Sequence, residues 1–266
     1  LVSIQYANNE LGTIQPIRDV GAAVQKFRRR PLGDSAFPLF HTDAVQAFQF
    51  LPCLPKILGA DLMTLSAHKI YGPKGVGALY ASETVRSGNM PALLPTSSGG
   101  GQEFGFRPGT ENVPGIVGFA KAADLAVRVR EREAKRVANL AERFFGKLWE
   151  RLPDIEINGF PPDGASKERP GLFAREGAPL RVPHIVNFYT PRMTAEELLF
   201  RLDREGIAVS AGSACRSRSL QLSHVLRACG YSEARAKKSI RVSFGRGTSQ
   251  GHVDRAVVAI TMILHR

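Results

Sequence analysis

Hydrophobic and polar positions in the first half of the chain follow two different periods. Short apolar runs that end in polar residues predict four strands, in LVSIQYA, PLFHTDAV, ADLMTLSAHK and GVGALYAS. The run PIRDVGAAVQKFRR has helical spacing instead, and this spacing places on one side Ile17, Val20, Ala23, Val24 and Phe27. Strands interleaved with a helix predict an α/β sheet that carries its reactive groups at the strand ends.

The second half begins with a long helical pattern, from VPGIVGFAKAADL to LWERL, which we expect to link two domains. Two strand-like runs, DIEING and HIVNFYT, flank a stretch rich in Pro, Gly and charge that predicts a surface loop. Helix and strand patterns then alternate through AEELLFRLDREG, SHVLRACGYS, SIRVSFGR and HVDRAVVAITMIL. We therefore predict a larger α/β domain over residues 1–128 and a smaller α+β domain over 129–266.

Charge and cysteine content narrow the classes of partner. The 266 residues contain 36 Lys and Arg against 24 Asp and Glu, a net charge of +12, which raises the question of nucleic acid. The basic runs are scattered, however, and no zinc-finger or aromatic RNA-binding pattern accompanies them, so a surface for acidic partners or small anions is favoured. Three cysteines without C-x-x-C spacing argue against a disulfide framework and a structural metal site. No run approaches the roughly 20 apolar residues of a membrane span.

Polar groups cluster at four strand ends of the first half. They are Asn8, Asn9 and Glu10; His41, Thr42, Asp43 and Gln46; Ser66, His68 and Lys69; and Arg107 and Thr110. A lysine beside a carboxylate, an imidazole and hydroxyls suits pyridoxal 5'-phosphate, whose aldehyde binds an amine and whose pyridine nitrogen pairs with an acid.

Each of these residues also has a simpler interpretation. Lys69 could be a solvated charge, Asp43 a helix cap, and His68 a partly buried imidazole whose hydrogen bonds are satisfied. The glycines at 99–101 could form only a turn.

Longer motifs carry a family resemblance. ANNELGTIQPI, FHTDAVQAF, LSAHKIYGPKGVGALY, GGGQEFGFRPGTENVPGIVGF, and SAGSACRSRSLQLSHVLRACG with SIRVSFGR resemble, in order, motifs of the cysteine desulfurases and selenocysteine lyases. These are fold-type I enzymes of the class V aminotransferase group. The resemblance implies that residues 1–128 are the C-terminal part of the pyridoxal-phosphate-binding large domain, with a mixed, mostly parallel sheet, and that 129–266 form the small C-terminal domain.

The resemblance also implies roles for single residues. Lys69 matches the lysine that binds the cofactor and moves the substrate's α-proton. The other matched cofactor residues are Asp43 for the pyridine nitrogen, Gln46 for the ring oxygen, Ser66 and His68 for the phosphate, and Thr110. In the family this threonine reaches the phosphate in the other subunit's site, which implies a homodimer.

The same resemblance implies a substrate and a nucleophile. Asn9 and Arg241 match the pair that holds the substrate carboxylate, an anion that suits a bidentate guanidinium. Cys215 matches the cysteine that takes sulfur from L-cysteine as a persulfide and leaves L-alanine. Arg216 and Arg218 would favour its thiolate; the alternative is that Cys215 is a small core residue. Cys229 has the helical spacing of a core residue, and Cys53 has no evident role.

Departures from the family keep alternatives open. The family's upstream segment, with the histidine that stacks on the cofactor, has no counterpart, so we expect an N-terminally truncated chain that binds the cofactor weakly or not at all when it is alone. The loop after Cys215 fits family members that pass sulfur to scaffold proteins of iron-sulfur cluster assembly or to thiolation enzymes, and its arginines would attract an acidic acceptor. The alternatives are a selenocysteine lyase, a non-catalytic remnant or assembly subunit, and, last, a nucleic-acid-binding module. The expected location is cytoplasmic, with an organellar matrix as the alternative.

Overall fold

The structure is a computed structural model, and it describes most of the 266 residues. The described ranges are 1–29, 37–83, 85, 93–159, 181–212 and 222–265, with the backbone of 174–175 and 178–179. Within these ranges, no helix combines the length and apolar character that crossing a membrane requires.

Contacts divide the chain into two compact units. The first unit is Leu1–Ala7 with Gln15–Arg130, and the second is Asn8–Ile14 with Glu131–Arg266. The short segment Asn8–Ile14 therefore belongs to the second unit, although the chain before it and the chain after it belong to the first. The predicted domains, 1–128 and 129–266, stay a prediction.

The first unit is built on a four-stranded mixed sheet. Its strands occur in the order β1 (Val2–Gln5), β2 (Phe40–Asp43), β3 (Leu62–Ser66) and β4 (Gly77–Ala81). The first three strands are parallel and β4 is antiparallel to β3. The predicted strands and the mostly parallel sheet are confirmed. Because the carboxyl ends of the parallel strands β2 and β3 lie at one edge, the polar residues at the ends of these two strands share that edge.

Two helices accompany this sheet, α1 (Ile17–Arg28) between β1 and β2, and α2 (Pro55–Leu58) before β3. The helix α1 was predicted, but its predicted apolar face is wrong in two positions: Ala23 is exposed and half of the Phe27 side chain, 50%, is accessible. The buried face instead contains Gly21, because α1 approaches the backbone at Leu58 too closely for a larger residue.

The predicted long helix is confirmed as α3 (Val113–Arg151), which has 39 residues. Its first part packs in the first unit, where Phe119, Ala122 and Ala126 form a cluster with Ala67 and Ile70. Its last part belongs to the second unit.

The second unit is α+β, as predicted. Its antiparallel sheet has the order β5 (Glu156–Ile157), β8 (Ile185–Tyr189), β9 (Ser239–Ser243), and a separate pair contains β6 (Ala174–Arg175) and β7 (Ala178–Pro179). Its helices are α4 (Ala195–Arg204), α5 (His224–Ala228), α6 (Glu233–Ala236) and α7 (Gln250–His265).

Aromatic rings form the core of the second unit. The rings of Phe145 and Phe188 meet edge to face with centroids 5.9 Å apart, and Phe144 packs in the same way on Phe145 at 4.9 Å and on Phe244 at 5.8 Å. Edge-to-face pairs are favourable beyond the area that they bury.

The cysteines differ in exposure. Cys53 is buried, and burial raises the pKa of its thiol to about 12. Cys229 is exposed, so its predicted core position is wrong: it is the C-cap of the five-residue helix α5, whose only buried side chain is Leu226. Cys215 lies outside the described residues.

Candidate active site

Asp43 is the last residue of β2 and lies at the sheet edge where the parallel strands end. In register beside it are Gln5 of β1 and Thr64 of β3. The Asp43 side chain is exposed, and its Oδ1 accepts a hydrogen bond from the backbone N–H of Val45 at 2.9 Å. Because turns rather than a helix follow, Asp43 does not act as the helix cap considered above.

Lys69 lies in the single 3₁₀ turn Ala67–Ile70 that directly follows β3. Ala67 and Ile70 are buried against α3, so the turn presents His68 and Lys69 outward, and both are exposed. His68 Nδ1 and Ser66 Oγ are hydrogen-bonded at 2.9 Å. The Lys69 amine makes no hydrogen bond or ion pair with any residue that the structure describes. The Lys69 amine is thus carried by a well-packed turn, beside two hydrogen-bonding side chains.

His41, one of the polar residues predicted at the strand ends, makes hydrogen bonds to both neighbouring strands that the sequence did not predict. Its Nδ1 contacts Ser3 Oγ at 2.7 Å and its Nε2 contacts Thr64 Oγ1 at 2.8 Å. Burial lowers the pKa of His41, and the nearby Asp43 carboxylate partly opposes that change. The sequence signal was the alternation in FHTD, which places residues 41 and 43 on the same face of β2.

Gln46 and Thr110 also belong to the first unit. Gln46 lies half-buried in the turn after β2, and Thr110 is exposed just before α3. The segment before Thr110 is shaped by a hydrogen bond from Gly109 N to Gln102 Oε1 at 3.1 Å. Phe104 in this segment is 92% exposed.

In the second unit, Asn9 and Arg241 are in contact. Arg241 Nη1 donates to the backbone carbonyl of Asn9 at 2.9 Å. The preceding Asn8 side chain accepts hydrogen bonds from the N–H groups of Glu10 and Leu11, both at 2.8 Å, and so fixes the turn that carries Asn9. The structure therefore brings this predicted pair together.

Arg181 holds the same turn and was not predicted. The side chain is only 2% exposed, and it donates to the carbonyls of Leu11 and Asn158, the latter at 2.8 Å. Burial lowers the pKa of Arg181 to about 10. Its apolar neighbours in LRVPHIV were the only sequence signal that this arginine is internal.

The residues at the sheet edge of the first unit fit pyridoxal phosphate in chemical kind. Lys69 offers an amine without a partner among the described residues, Asp43 an exposed carboxylate, and Ser66 with His68 a donor pair for a phosphate. The described residues contain no group of three or more His, Cys, Asp or Glu side chains that could hold a metal ion.

Comparison with known proteins identifies related sequences along the whole chain. The family model for aminotransferase class-V matches residues 1–256. A protein of Trichormus azollae named cysteine desulfurase is 38% identical over 266 residues, covering 100% of this chain and 58% of its own length.

Solved structures are also similar to this chain over most or all of its length. A NifS-like protein from Rickettsia africae has a TM-score of 0.79 and 30% identity, covering 100% of this chain and 62% of its own. The structure of SspA in complex with cysteine has a TM-score of 0.63 and 30% identity, covering 91% of this chain and 58% of its own. The chain thus spans about 60% of the length of these relatives.

Proposed function

Since the chain belongs to the aminotransferase class-V family, we propose that it acts as a pyridoxal-phosphate-dependent cysteine desulfurase. The reaction converts L-cysteine to L-alanine and collects the sulfur as a persulfide on Cys215. The observation that carries the proposal is Lys69, whose amine has no partner among the described residues and lies on a packed turn beside the hydrogen-bonded Ser66 and His68. The similar proteins named cysteine desulfurase, and the SspA structure that contains cysteine, support this substrate.

The residues of the first unit would hold the cofactor. Lys69 would bind it covalently and move the substrate's α-proton, Asp43 would keep its pyridine nitrogen protonated, and Gln46 would donate to its ring oxygen. Ser66 and His68 would bind its phosphate. When bound, the cofactor supplies an electron-withdrawing ring that stabilises negative charge at the substrate's α-carbon.

Asn9 and Arg241 would bind the substrate carboxylate. The Arg241 guanidinium donates to the Asn9 carbonyl, and a guanidinium is chemically suited to pair with a carboxylate.

A second copy of the chain would complete the site through Thr110. The exposure of Thr110 and of the nearby Phe104 supports this homodimer. An acidic sulfur acceptor, such as a scaffold protein of iron-sulfur cluster assembly, would use the charges of Arg216 and Arg218. The cytoplasmic location stays a prediction.

Covalent trapping tests the role of Lys69 even where cofactor binding is weak. The chain is mixed with pyridoxal phosphate, reduced with borohydride and digested, and the labelled lysines are located by mass spectrometry. We expect the label on Lys69 and its loss in Lys69→Ala, whereas Lys74→Ala, which removes a nearby exposed lysine, keeps it. Equal labelling of Lys69 and Lys74 in the parent protein would contradict the proposal.

Substrate choice needs a separate measurement. Alanine production from L-cysteine and from L-selenocysteine is compared in the parent protein and in Cys215→Ala. Loss of activity on both substrates in Cys215→Ala supports the desulfurase, and activity kept on selenocysteine alone would favour the lyase instead. An inactive protein that still labels at Lys69 would favour the non-catalytic remnant.

A further inference from the structure

Glu10 is a buried carboxylate that the proposed reaction does not use. It is 1% exposed and belongs to the Asn8–Ile14 segment of the second unit. Ser223 Oγ donates a short hydrogen bond to Glu10 Oε2. The same oxygen lies 3.9 Å from the position that a Cβ on Gly212 would occupy, and that position is also 3.9 Å from Ser223 Cβ. One carboxylate oxygen therefore lies beside both Gly212 and Ser223.

These two neighbours are the stems of the segment that contains Cys215. The chain reaches Gly212, continues through residues 213–221, and is described again from 222, just before Ser223. Gly212 is buried and has φ +93°, a conformation that side chains on other residues disfavour. The backbone conformation at Gly212, rather than a lack of space beside Glu10, therefore favours glycine at this stem.

Arg241 links the first stem to the turn that carries Asn9. Its backbone exchanges two hydrogen bonds with Ser210, from Ser210 N at 3.1 Å and from Arg241 N at 2.7 Å. Its side chain donates to the Asn9 carbonyl at 2.9 Å, and Asn9 is the chain neighbour of Glu10. Ser210 Oγ also donates to the Gly212 carbonyl at 3.1 Å. Hydrogen bonds thus connect Asn9, Arg241, Ser210 and Gly212 in series, and Glu10, the chain neighbour of Asn9, binds Ser223 and lies beside Gly212.

We propose that Glu10 is a positioning residue that holds both stems of segment 213–221 to the turn carrying Asn9. The inference rests on the proposed function, in which Cys215 is the nucleophile and Asn9 with Arg241 binds the substrate carboxylate. A buried carboxylate is costly unless it accepts hydrogen bonds, and a hydrogen bond to a charged group is stronger than a neutral one. Glu10 therefore acts as a tether that links the turn that carries Asn9, a proposed substrate-binding residue, to Gly212 and Ser223, which flank the segment that contains Cys215.

Hydrogen exchange on the full chain tests the tether through a matched pair of serines. Ser223 is the N-cap of α5 and accepts from Leu226 N at 3.1 Å; Ser232 is the N-cap of α6 and accepts from Arg235 N at 3.2 Å. Ser223→Ala and Ser232→Ala each remove one cap, but only the first removes a contact with Glu10. We expect roughly tenfold faster exchange at the Ser210 amide in Ser223→Ala alone, the scale of one charged hydrogen bond. Faster exchange confined to α5 would overturn the proposal.

A second pair of variants acts on the carboxylate itself. Glu10→Gln keeps the volume and one acceptor oxygen, so its exchange at the Ser210 amide should stay closer to that of the parent than the exchange in Glu10→Ala. If Glu10→Ala does not fold, the Glu10→Gln and Ser223→Ala results decide. Parent-like exchange at Ser210 in both would refute the tether.

A chemical readout separates positioning from folding. The rate at which iodoacetamide alkylates Cys215 is measured by mass spectrometry in folded Glu10→Ala or Glu10→Gln, together with borohydride labelling at Lys69. We expect the alkylation rate to change at least about threefold while labelling of Lys69 is unchanged. An unchanged alkylation rate in variants with lower stability would assign Glu10 to folding only. Absence of Lys69 labelling in the parent would refute the proposed function instead, and the exchange at Ser210 would still decide the tether.

Discussion

Gly21→Ala gives a direct test of how α1 packs in the first unit. In an ordinary helix interior, replacing glycine by alanine stabilises a protein by up to about 1 kcal/mol. At Gly21, however, the added Cβ would lie 2.2 Å from the backbone carbonyl oxygen of Leu58 and 3.2 Å from the Cα of Gly59. The substitution therefore sets a helix preference against a steric overlap.

The steric overlap should decide whether Gly21→Ala stabilises or destabilises the protein. Real Cβ atoms keep at least 3.0 Å from such neighbours, so α1 and the Leu58 carbonyl must separate by about 0.8 Å. The obstacle is backbone, which cannot rotate away as a side-chain tip can. Overpacking of this kind costs about 1–3 kcal/mol, and the helix preference returns at most about 1 kcal/mol. We expect Gly21→Ala to lower the free energy of unfolding by about 1–2 kcal/mol.

Gly146→Ala is the matched control. Gly146 lies inside α3, and a Cβ there meets nothing within 4 Å, so only the helix preference remains and we expect a gain of up to about 1 kcal/mol. Urea denaturation followed by far-ultraviolet circular dichroism measures both variants. If the two variants have the same free energy of unfolding, α1 does not approach Leu58 as closely as the structure shows.

Three further predictions concern side chains. Native-state alkylation should modify Cys229 and leave Cys53 unmodified, because Cys53 is buried and its thiol pKa is raised to about 12; mass spectrometry that finds both labelled equally would contradict the burial. Because folding lowers the pKa of His41 below its ordinary value of about 6.5, the unfolded chain binds more protons there, and stability should fall as pH drops from about 7.5 to 5.5. Urea titrations should show a shallower fall in His41→Gln; an identical slope would refute this contribution. Arg181→Met should cost about 3 kcal/mol in the same assay, since two buried carbonyls lose their donor, and a cost below about 1 kcal/mol would mean that they find other partners.

The sheet of the first unit could be predicted because its strands carry local signals. Apolar runs ending in polar residues located β2 and β3, and parallel pairing brings their ends, Asp43 and Ser66, to one edge. The face of α1 could not be predicted, because hydrophobic periodicity favours Phe27 over a glycine. Gly21 is buried by the close approach of Leu58, a residue 37 positions away, and no local pattern reports such contacts.

Contacts between distant parts of the chain also hid the role of Glu10. Its polar surroundings in ANNELG carry no sign of burial, yet Ser223, 213 residues later, donates to its carboxylate, and Arg181 donates to the carbonyl of the next residue from 170 residues away. The prediction that Cys229 is a core residue was wrong for a local reason. Its helical spacing is present, but α5 is so short that Leu226 is its only buried residue.

The path of the chain between its two units limits how the protein can be dissected. It passes from one unit to the other after Ala7, after Ile14 and after Arg130, so no single cut separates them. A fragment of residues 131–266 would lack Leu11, which packs with Leu226 and Ala236 in the second unit. To produce the second unit alone, residues 8–14 must be fused to residues 131–266 or added as a separate peptide. The second case is the same as reassembling a split protein from two fragments.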